Sequence, residues 1–403
     1  MLRRLSRRVV FEHFPLATGL AFGVALATLA AWLVALVAGP AAVPGRPLAL
    51  AGLGLALLGG WLVPRLGAPR HRGAIMRRVA AWSIAVAFVT IAVAAAVVGV
   101  AGGLLALAAL LAVVGLAPER GLAAFRVLSV AAAASTFAGL VWAAHAGRVS
   151  LQVRERTLAL PGLPPALQGL RIAHLSDLHV GNGLHGEALD ALVERVASLA
   201  PDLVAITGDL FDYDPDAVPD GARRLGALRA RLGVFAVLGN HDALVGREWV
   251  ARCLAEHAPA VRLLRGAWEK LDAGGSPLYV AGFDDPGHDW SARSERLPVL
   301  ADLARVLPTD GPALLLAHRP EAFPQAAEAG FALVLAGHYH GGQIALPGAA
   351  ERWNVARLFS AYPNGLYRRG DALLHVSCGI GFAGPRLRVG SHPEIVVLTL
   401  AAA

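Results

Sequence analysis

Two kinds of hydrophobic pattern divide this chain. Up to about residue 146, long apolar runs follow one another with few acids, at 16–38, 48–63, 79–98, 104–116 and 127–144. A helix that crosses a membrane needs roughly 20 apolar residues, so the runs predict about five spans. The second, which stops at Pro64, and the fourth, which follows Gly102 and Gly103, are the shortest. Beyond residue 147 the runs are brief, and each gives way to polar residues. They lie at 170–175, 203–207, 234–238, 278–283, 313–317, 333–336 and 373–376. Apolar runs this short, without alternation, predict strands buried on both faces. Helical patterns at 187–200 and 223–232 lie between them, and strands alternating with helices predict an α/β architecture.

Composition fits this division. Hydrophobic residues make up 56% of the 403, and mean hydropathy is +0.55. The formal charge is +7 and the pI about 10.2. Arginines supply nearly all of the basic charge. They gather at Arg3, Arg4, Arg7 and Arg8 and again between Arg65 and Arg78, as the positive-inside rule places them in cytoplasmic loops. Five spans then put the chain beyond residue 147 outside the cytoplasm, on a protein integral to the cell membrane. No basic stripe is interleaved with aromatics, so a nucleic-acid partner is not expected. A cleaved signal peptide is disfavoured, because further apolar runs follow the first and no small-residue cleavage site stands out. Cys253 and Cys378 are too few for a disulfide framework and have no metal-binding spacing, which reads as small core residues. The expected organisation is a helical membrane domain at 1–146, a connector with an edge strand at 147–169, and an α/β domain at 170–403.

The chemistry gathers where the short runs end. Asp177 and His179 follow the first, and Asp209 follows the second. Asn240, His241 and Asp242 follow the third, His318 the fifth, and His338 and His340 the sixth. Strand C-terminal ends are where α/β sheets build their sites. The residues are of one kind, carboxylate, imidazole and amide, with no nucleophilic Ser or Cys among them. Such a donor set suits divalent cations of hard to intermediate character. One buried histidine alone is better read as structural, but burying this many Asp and His without a cation is costly. Asp242 reads as a helix cap.

In order, Asp177-Leu178-His179, Gly208-Asp209, Gly239-Asn240-His241-Asp242, His318 and Gly337-His338-Tyr339-His340 resemble the five blocks of the calcineurin-like metallophosphoesterases. The resemblance runs from about residue 170 to 400. It is nearest to the bacterial membrane-attached branch, whose last block reads Gly-His-x-His-Gly-Gly-Gln, here Gly337 to Gln343. It implies a four-layer α/β/β/α sandwich and two divalent ions, Mn2+ first, with Fe, Zn or Mg as alternatives. It also implies that Asp177, His179 and His340 hold one ion, that Asn240, His318 and His338 hold the other, and that Asp209 bridges them. A hydroxide between the ions would attack phosphorus. By the same resemblance His241 protonates the leaving oxygen and Asp212 orients it, although Asp212 reads equally well as a turn residue. The implied activity is hydrolysis of a phosphomonoester or diester, on an envelope or lipid-linked substrate. A cytoplasm-facing hydrolase of the UDP-2,3-diacylglucosamine type and a non-catalytic membrane sensor are the alternatives. Two positions depart from the family: Arg319 stands where an acid or amide is common, and Tyr339 where a small hydroxyl residue is common. Arg319, Arg386 and Arg388 are each candidates for phosphate contact or ordinary surface charge.

Overall fold

The computed structural model describes residues 24–35, 93–103, 121–149, 151–212, 214–287, 297–346, 348–358, 360–384 and 386–403. The chain divides into two compact units, Met1–His145 and Ala146–Ala403.

In the first unit the described residues form helix at 24–35 and 93–103, and a longer helix, α1, covers Gly121–Val149. The apolar runs at 48–63 and 104–116 and both arginine clusters lie outside the described residues, and the runs at 16–38 and 79–98 lie there in part. Among the described residues no helix is long and apolar enough to cross a membrane. That corrects the expected multi-span membrane domain. The integral-membrane localisation and membrane partner drawn from it lose their support as well. The run at 127–144 shows the physical reason. It holds 18 residues, at the short end of the roughly 17–25 that span a bilayer, and Ala, Gly, Ser and Thr supply most of it. Small residues give long unpolar stretches in a sequence while contributing little transfer energy each.

The second unit holds two six-stranded mixed sheets. The first is ordered β1-β12-β2-β3-β4-β5. Its strands are β1 (Gln152–Leu160), β2 (Arg171–Leu175), β3 (Leu203–Ile206), β4 (Gly233–Ala236), β5 (Val261–Leu263) and β12 (Glu394–Ala402). β2 to β5 run parallel, and β12 enters antiparallel to β2 and parallel to the edge strand β1. The second sheet is ordered β10-β11-β9-β8-β7-β6. It comprises β6 (Ala267–Asp272), β7 (Pro277–Gly282), β8 (Ala313–Leu316), β9 (Leu333–Ala336), β10 (Gly365–Arg369) and β11 (Ala372–Val376).

Side-chain alternation along these strands sorts the core into layers. Ile172, Leu203, Ala205, Phe235 and Val237 of the first sheet pack against Leu278, Val280, Leu314, Leu316, Leu333, Leu335 and Leu373 of the second. The alternate residues, such as Val204, Ile206 and Val234, face helices α2 (Glu187–Ser198), α3 (Val218–Leu225) and α5 (Arg247–His257). Tyr279, Ala281, Leu315 and Val334 face α6 (Pro298–Val306) and α7 (Phe323–Glu328) on the far side. Helices therefore cover the outer face of each sheet, and the layers run α/β/β/α. Strands buried on both sides explain why the sequence shows unbroken apolar runs instead of alternation. Cys253 and Cys378 are buried free thiols.

Candidate metal centre

Five strand ends deliver the polar residues to one place. Asp177 and His179 follow β2, and Asp209 follows β3. Asn240 and His241 open α4 (Asn240–Val245) after β4, while His318 follows β8 and His338 and His340 follow β9. The two sheets thus each contribute one wall. All of these side chains are buried, at 8% exposure or less.

Their donor atoms form two adjoining groups. In one, His340 Nε2 lies 3.0 Å from His179 Nε2 and 3.4 Å from Asp177 Oδ1. In the other, His318 Nε2 lies 3.0 Å from Asn240 Oδ1, 3.1 Å from His338 Nδ1 and 3.3 Å from Asp209 Oδ2. Asp209 Oδ2 also lies 3.7 Å from His179 Nε2, so this carboxylate faces both groups. Asp177, His179 and His340 can converge on one ion, and so can Asp209, His318 and His338. A third such group, His179, Asp212 and His241, shares His179 with the first. Ring nitrogens 3 Å apart need a proton or a cation between them, and a carboxylate, amide and imidazole set fits a divalent ion.

Contacts behind the donors fix how the rings present themselves. His318 donates Nδ1–H to the Thr207 carbonyl at 2.9 Å, which leaves Nε2 for the centre. His179 Nδ1 lies 3.3 Å from Asp212 Oδ1, and His241 Nδ1 lies 2.8 Å from the same oxygen. Asp212 therefore aims two imidazoles at once, which places it at the centre and not in a solvent-facing turn. Asp242 accepts backbone N–H bonds from Gly239, Leu210 and Phe211 at 2.8–3.1 Å. It caps α4 and also ties down the segment that carries Asp209.

Local backbone geometry is unusual where it matters. Among the described residues seven non-glycines have positive φ, and Asp177, His179, Asp209, His338 and His340 are five of them. The glycines before the ligands answer a different need. A Cβ on Gly239 would meet Asp209 Oδ1, and one on Gly337 would meet Asp177 Oδ2 and Ser176 Oγ. The Asp209, Asp177 and Ser176 side chains pack directly over these backbones, so no larger residue fits.

The charges are strongly coupled. Burial pushes the Asp209 carboxyl up, but His318, His241 and His179 outweigh it and hold it well below the usual range. Asp212 follows the same pattern, with hydrogen bonds from His179 and His241 overcoming burial. Burial lowers His318, yet Asp209 and Asp177 lift it to about 10. His241 is likewise lowered by burial and raised by Asp209 and Asp212, to about 9. Asp177 is raised, by burial first. His340 is lowered, by burial and then by His179 and Arg388.

For several further residues the sequence left the role open. Arg319 is not a solvated surface residue: it is 7% exposed and its Nε donates to buried Asp285 Oδ2 at 2.5 Å. Arg388 is buried too. It donates to the carbonyls of Cys378, Gly379 and Gly381 and approaches His340 Nδ1 to 3.1 Å. Arg386 donates to Asn182 Oδ1 at 3.1 Å. Tyr339 stacks edge-on against His338 and donates its hydroxyl to Glu321 at 2.8 Å. In a sequence, a lone arginine after a turn carries no mark of burial; only a buried acid such as Asp285 could have signalled it.

Residues 170–342, which contain all of these ligand candidates, match the Calcineurin-like phosphoesterase family. The chain carries a calcineurin-like metallophosphoesterase domain. An uncharacterized metallophosphoesterase of Campylobacter jejuni is 35% identical over 242 residues, 59% of this chain and 61% of that protein. A transmembrane protein with metallophosphoesterase domain from Danio rerio is 32% identical over 250 residues, 59% of this chain and 54% of that one. A Bacillus subtilis metallophosphoesterase is 29% identical and matched over 85% of its length. The chain thus spans little more than half the length of the first two relatives.

Proposed function

We propose that this chain is a metal-dependent hydrolase of phosphate esters or diesters. The observation that carries the reading is the position of Asp209, whose carboxylate faces two groups of donors, one on each side. In this reading Asp177, His179 and His340 hold one divalent cation, and Asn240, His318 and His338 hold a second, with Asp209 shared. Mn2+ is the first choice for both. Bound there, such a pair would supply a water of lowered pKa and neutralise charge on the phosphoryl oxygens.

The chain's own residues do the rest. Asn240 contributes a neutral oxygen, which limits how far the donor set offsets the cations' charge. Asp212, 2.8 Å from Nδ1 of His241, favours the doubly protonated form of that ring. Asp212 holds the Nδ1–H of that ring, so the proton for the leaving oxygen resides on Nε2. Arg319, next in the chain to His318 and held by Asp285, is the cation we assign to a non-bridging phosphate oxygen.

The test is turnover of simple mono- and diesters, such as p-nitrophenyl phosphate and bis-p-nitrophenyl phosphate, with added Mn2+. Asp209→Asn weakens an oxygen that both cation sites share, and is expected to abolish turnover and to weaken Mn2+ binding at both sites. Undiminished turnover in that variant would overturn the two-cation reading.

A further inference from the structure

The core between the two sheets is leucine, valine, isoleucine, phenylalanine and alanine, apart from a buried polar thread. His174 on β2 and His375 on β11 are at most 1% exposed. They come from different sheets and meet edge-on, with Nδ1 to Nδ1 at 2.9 Å. His174 Nε2 lies 2.9 Å from Thr207 Oγ1. Thr207 Oγ1 lies 2.7 Å from Ser176 Oγ, and Ser176 Oγ lies 2.6 Å from Asp177 Oδ2. Four buried side chains outside the ligand set thus lead from the middle of the inter-sheet core to one ligand carboxylate.

Hydrogen-bond chemistry allows this thread one direction. An ionised carboxylate only accepts, so Ser176 must donate its hydroxyl proton to Asp177. Ser176 Oγ then accepts from Thr207, whose only proton is thereby used. Thr207 Oγ1 must accept from Nε2–H of His174. A neutral His174 with its proton on Nε2 has a lone pair on Nδ1, which accepts from Nδ1–H of His375. Burial keeps both rings neutral, with His174 lowered to about 3. Each link fixes the next, and both tautomers follow.

The arrangement also fixes the carboxylate. Asp177 Oδ2 takes the Ser176 bond, while Oδ1 lies 3.4 Å from His340 Nε2 in the first donor group. Thr207 reaches the second group as well, since its carbonyl accepts Nδ1–H of His318. Apolar side chains would fill an inter-sheet core with no such network, so the two histidines call for an explanation beyond packing.

We propose that His375, His174, Thr207 and Ser176 form a one-way hydrogen-bond chain that positions Asp177 for the first cation. They are positioning residues, and none touches the reacting atoms. The inference rests on the assignment of Asp177 as a metal ligand. Partners behind a ligand typically change metal affinity by about 10–100-fold when removed.

The test uses Thr207→Val, which keeps the shape and removes the hydroxyl, with Ser176→Ala as a second break. Thr207→Ser should restore the chain. Mn2+ titration of the full chain is expected to show affinity for the first cation falling about 10–100-fold in both broken variants. The second cation should bind nearly as before, and Thr207→Ser should behave as wild type. Nitrogen-15 NMR of the wild-type protein loaded with Mg2+ should show His174 protonated on Nε2 and His375 on Nδ1. The inference is overturned if Thr207→Val and Ser176→Ala both bind two cations as wild type does, or if His174 carries its proton on Nδ1. Neither measurement depends on turnover. Intact binding in Asp209→Asn refutes the metal-centre reading itself, whereas intact binding in the Thr207 and Ser176 variants refutes the chain alone.

Discussion

Mn2+ binding should release a proton and should tighten steeply with pH, because a proton occupies the place of the second cation. His318 Nε2 faces Asn240 Oδ1, His338 Nδ1 and Asp209 Oδ2 at 3.0–3.3 Å. Its Nδ1–H is committed to the Thr207 carbonyl. With its pKa lifted to about 10, the ring is about 99% protonated at pH 8 in the metal-free protein. A cation can take Nε2 only after that proton leaves. Two pH units at 1.36 kcal/mol each make the cost about 2.7 kcal/mol at pH 8, or about 100-fold in affinity. The second-site affinity should therefore rise about tenfold per pH unit between 7 and 9. Calorimetric titration in two buffers of different ionisation enthalpy counts the protons released, and close to one is expected from His318. Equal affinity at pH 7 and pH 9, with a binding heat independent of the buffer, would refute the reasoning.

The same groups set the stability of the metal-free protein. The folded-state values of His318 and His241 lie above the ordinary imidazole value, so their stabilising contribution is complete below about 6.5 and fades as pH rises through about 9 and 10. Asp209 and Asp212 lie below the ordinary carboxyl value, and their contribution is lost only as the solution turns acid. The metal-free Tm should fall between pH 7 and pH 10 in scanning calorimetry, and a rise would contradict these charges. His241→Ala should lower kcat about 100-fold or more on alkyl phosphoesters, the range of general acid catalysis. The loss should be much smaller on p-nitrophenyl esters, whose leaving group needs no proton, with Mn2+ affinity nearly unchanged. Equal losses on both substrates would remove His241 from the acid role.

How much of this was legible in the sequence depended on what each residue does to a local pattern. The candidate donors stand just past apolar runs, so their place at strand ends was visible in the pattern. Two buried sheets made those runs unbroken and therefore visible. His174 and His375 lie inside such runs, at 170–175 and 373–376, and there a single polar residue reads as an ordinary strand position. Their partnership crosses between sheets and spans 201 positions, beyond the reach of local pattern. Arg319 and Arg388 were open between phosphate contact and surface charge because arginine is usually exposed; burial becomes visible only with Asp285 and the three carbonyls in place. In the first unit hydropathy predicted spans that no helix among the described residues provides. Alanine-rich stretches count as apolar residue by residue, and the segment at 127–144 carries more small residues than large ones.

Backbone strain at the candidate donors shows how the strand ends aim side chains at one place. A strand throws its side chains to the two faces of the sheet, perpendicular to the direction in which this centre lies. To aim a side chain beyond the strand end, the chain must turn sharply within one or two residues. Asp177, His179, Asp209, His338 and His340 do so in the left-handed region, at φ between 46° and 77°, a conformation that costs on the order of 1–3 kcal/mol per non-glycine residue. Backbone bonds hold the turns in place. Asp177 N–H donates to the Gly208 carbonyl and His179 N–H to the Asp209 carbonyl, each at 3.0 Å, while His338 N–H donates to the Asp177 carboxylate at 3.1 Å. The first two loops thus brace each other, and the third is braced by the Asp177 carboxylate of the first. Relaxing any one turn would release strain only by misplacing its neighbours, which keeps the donors clustered before a cation arrives.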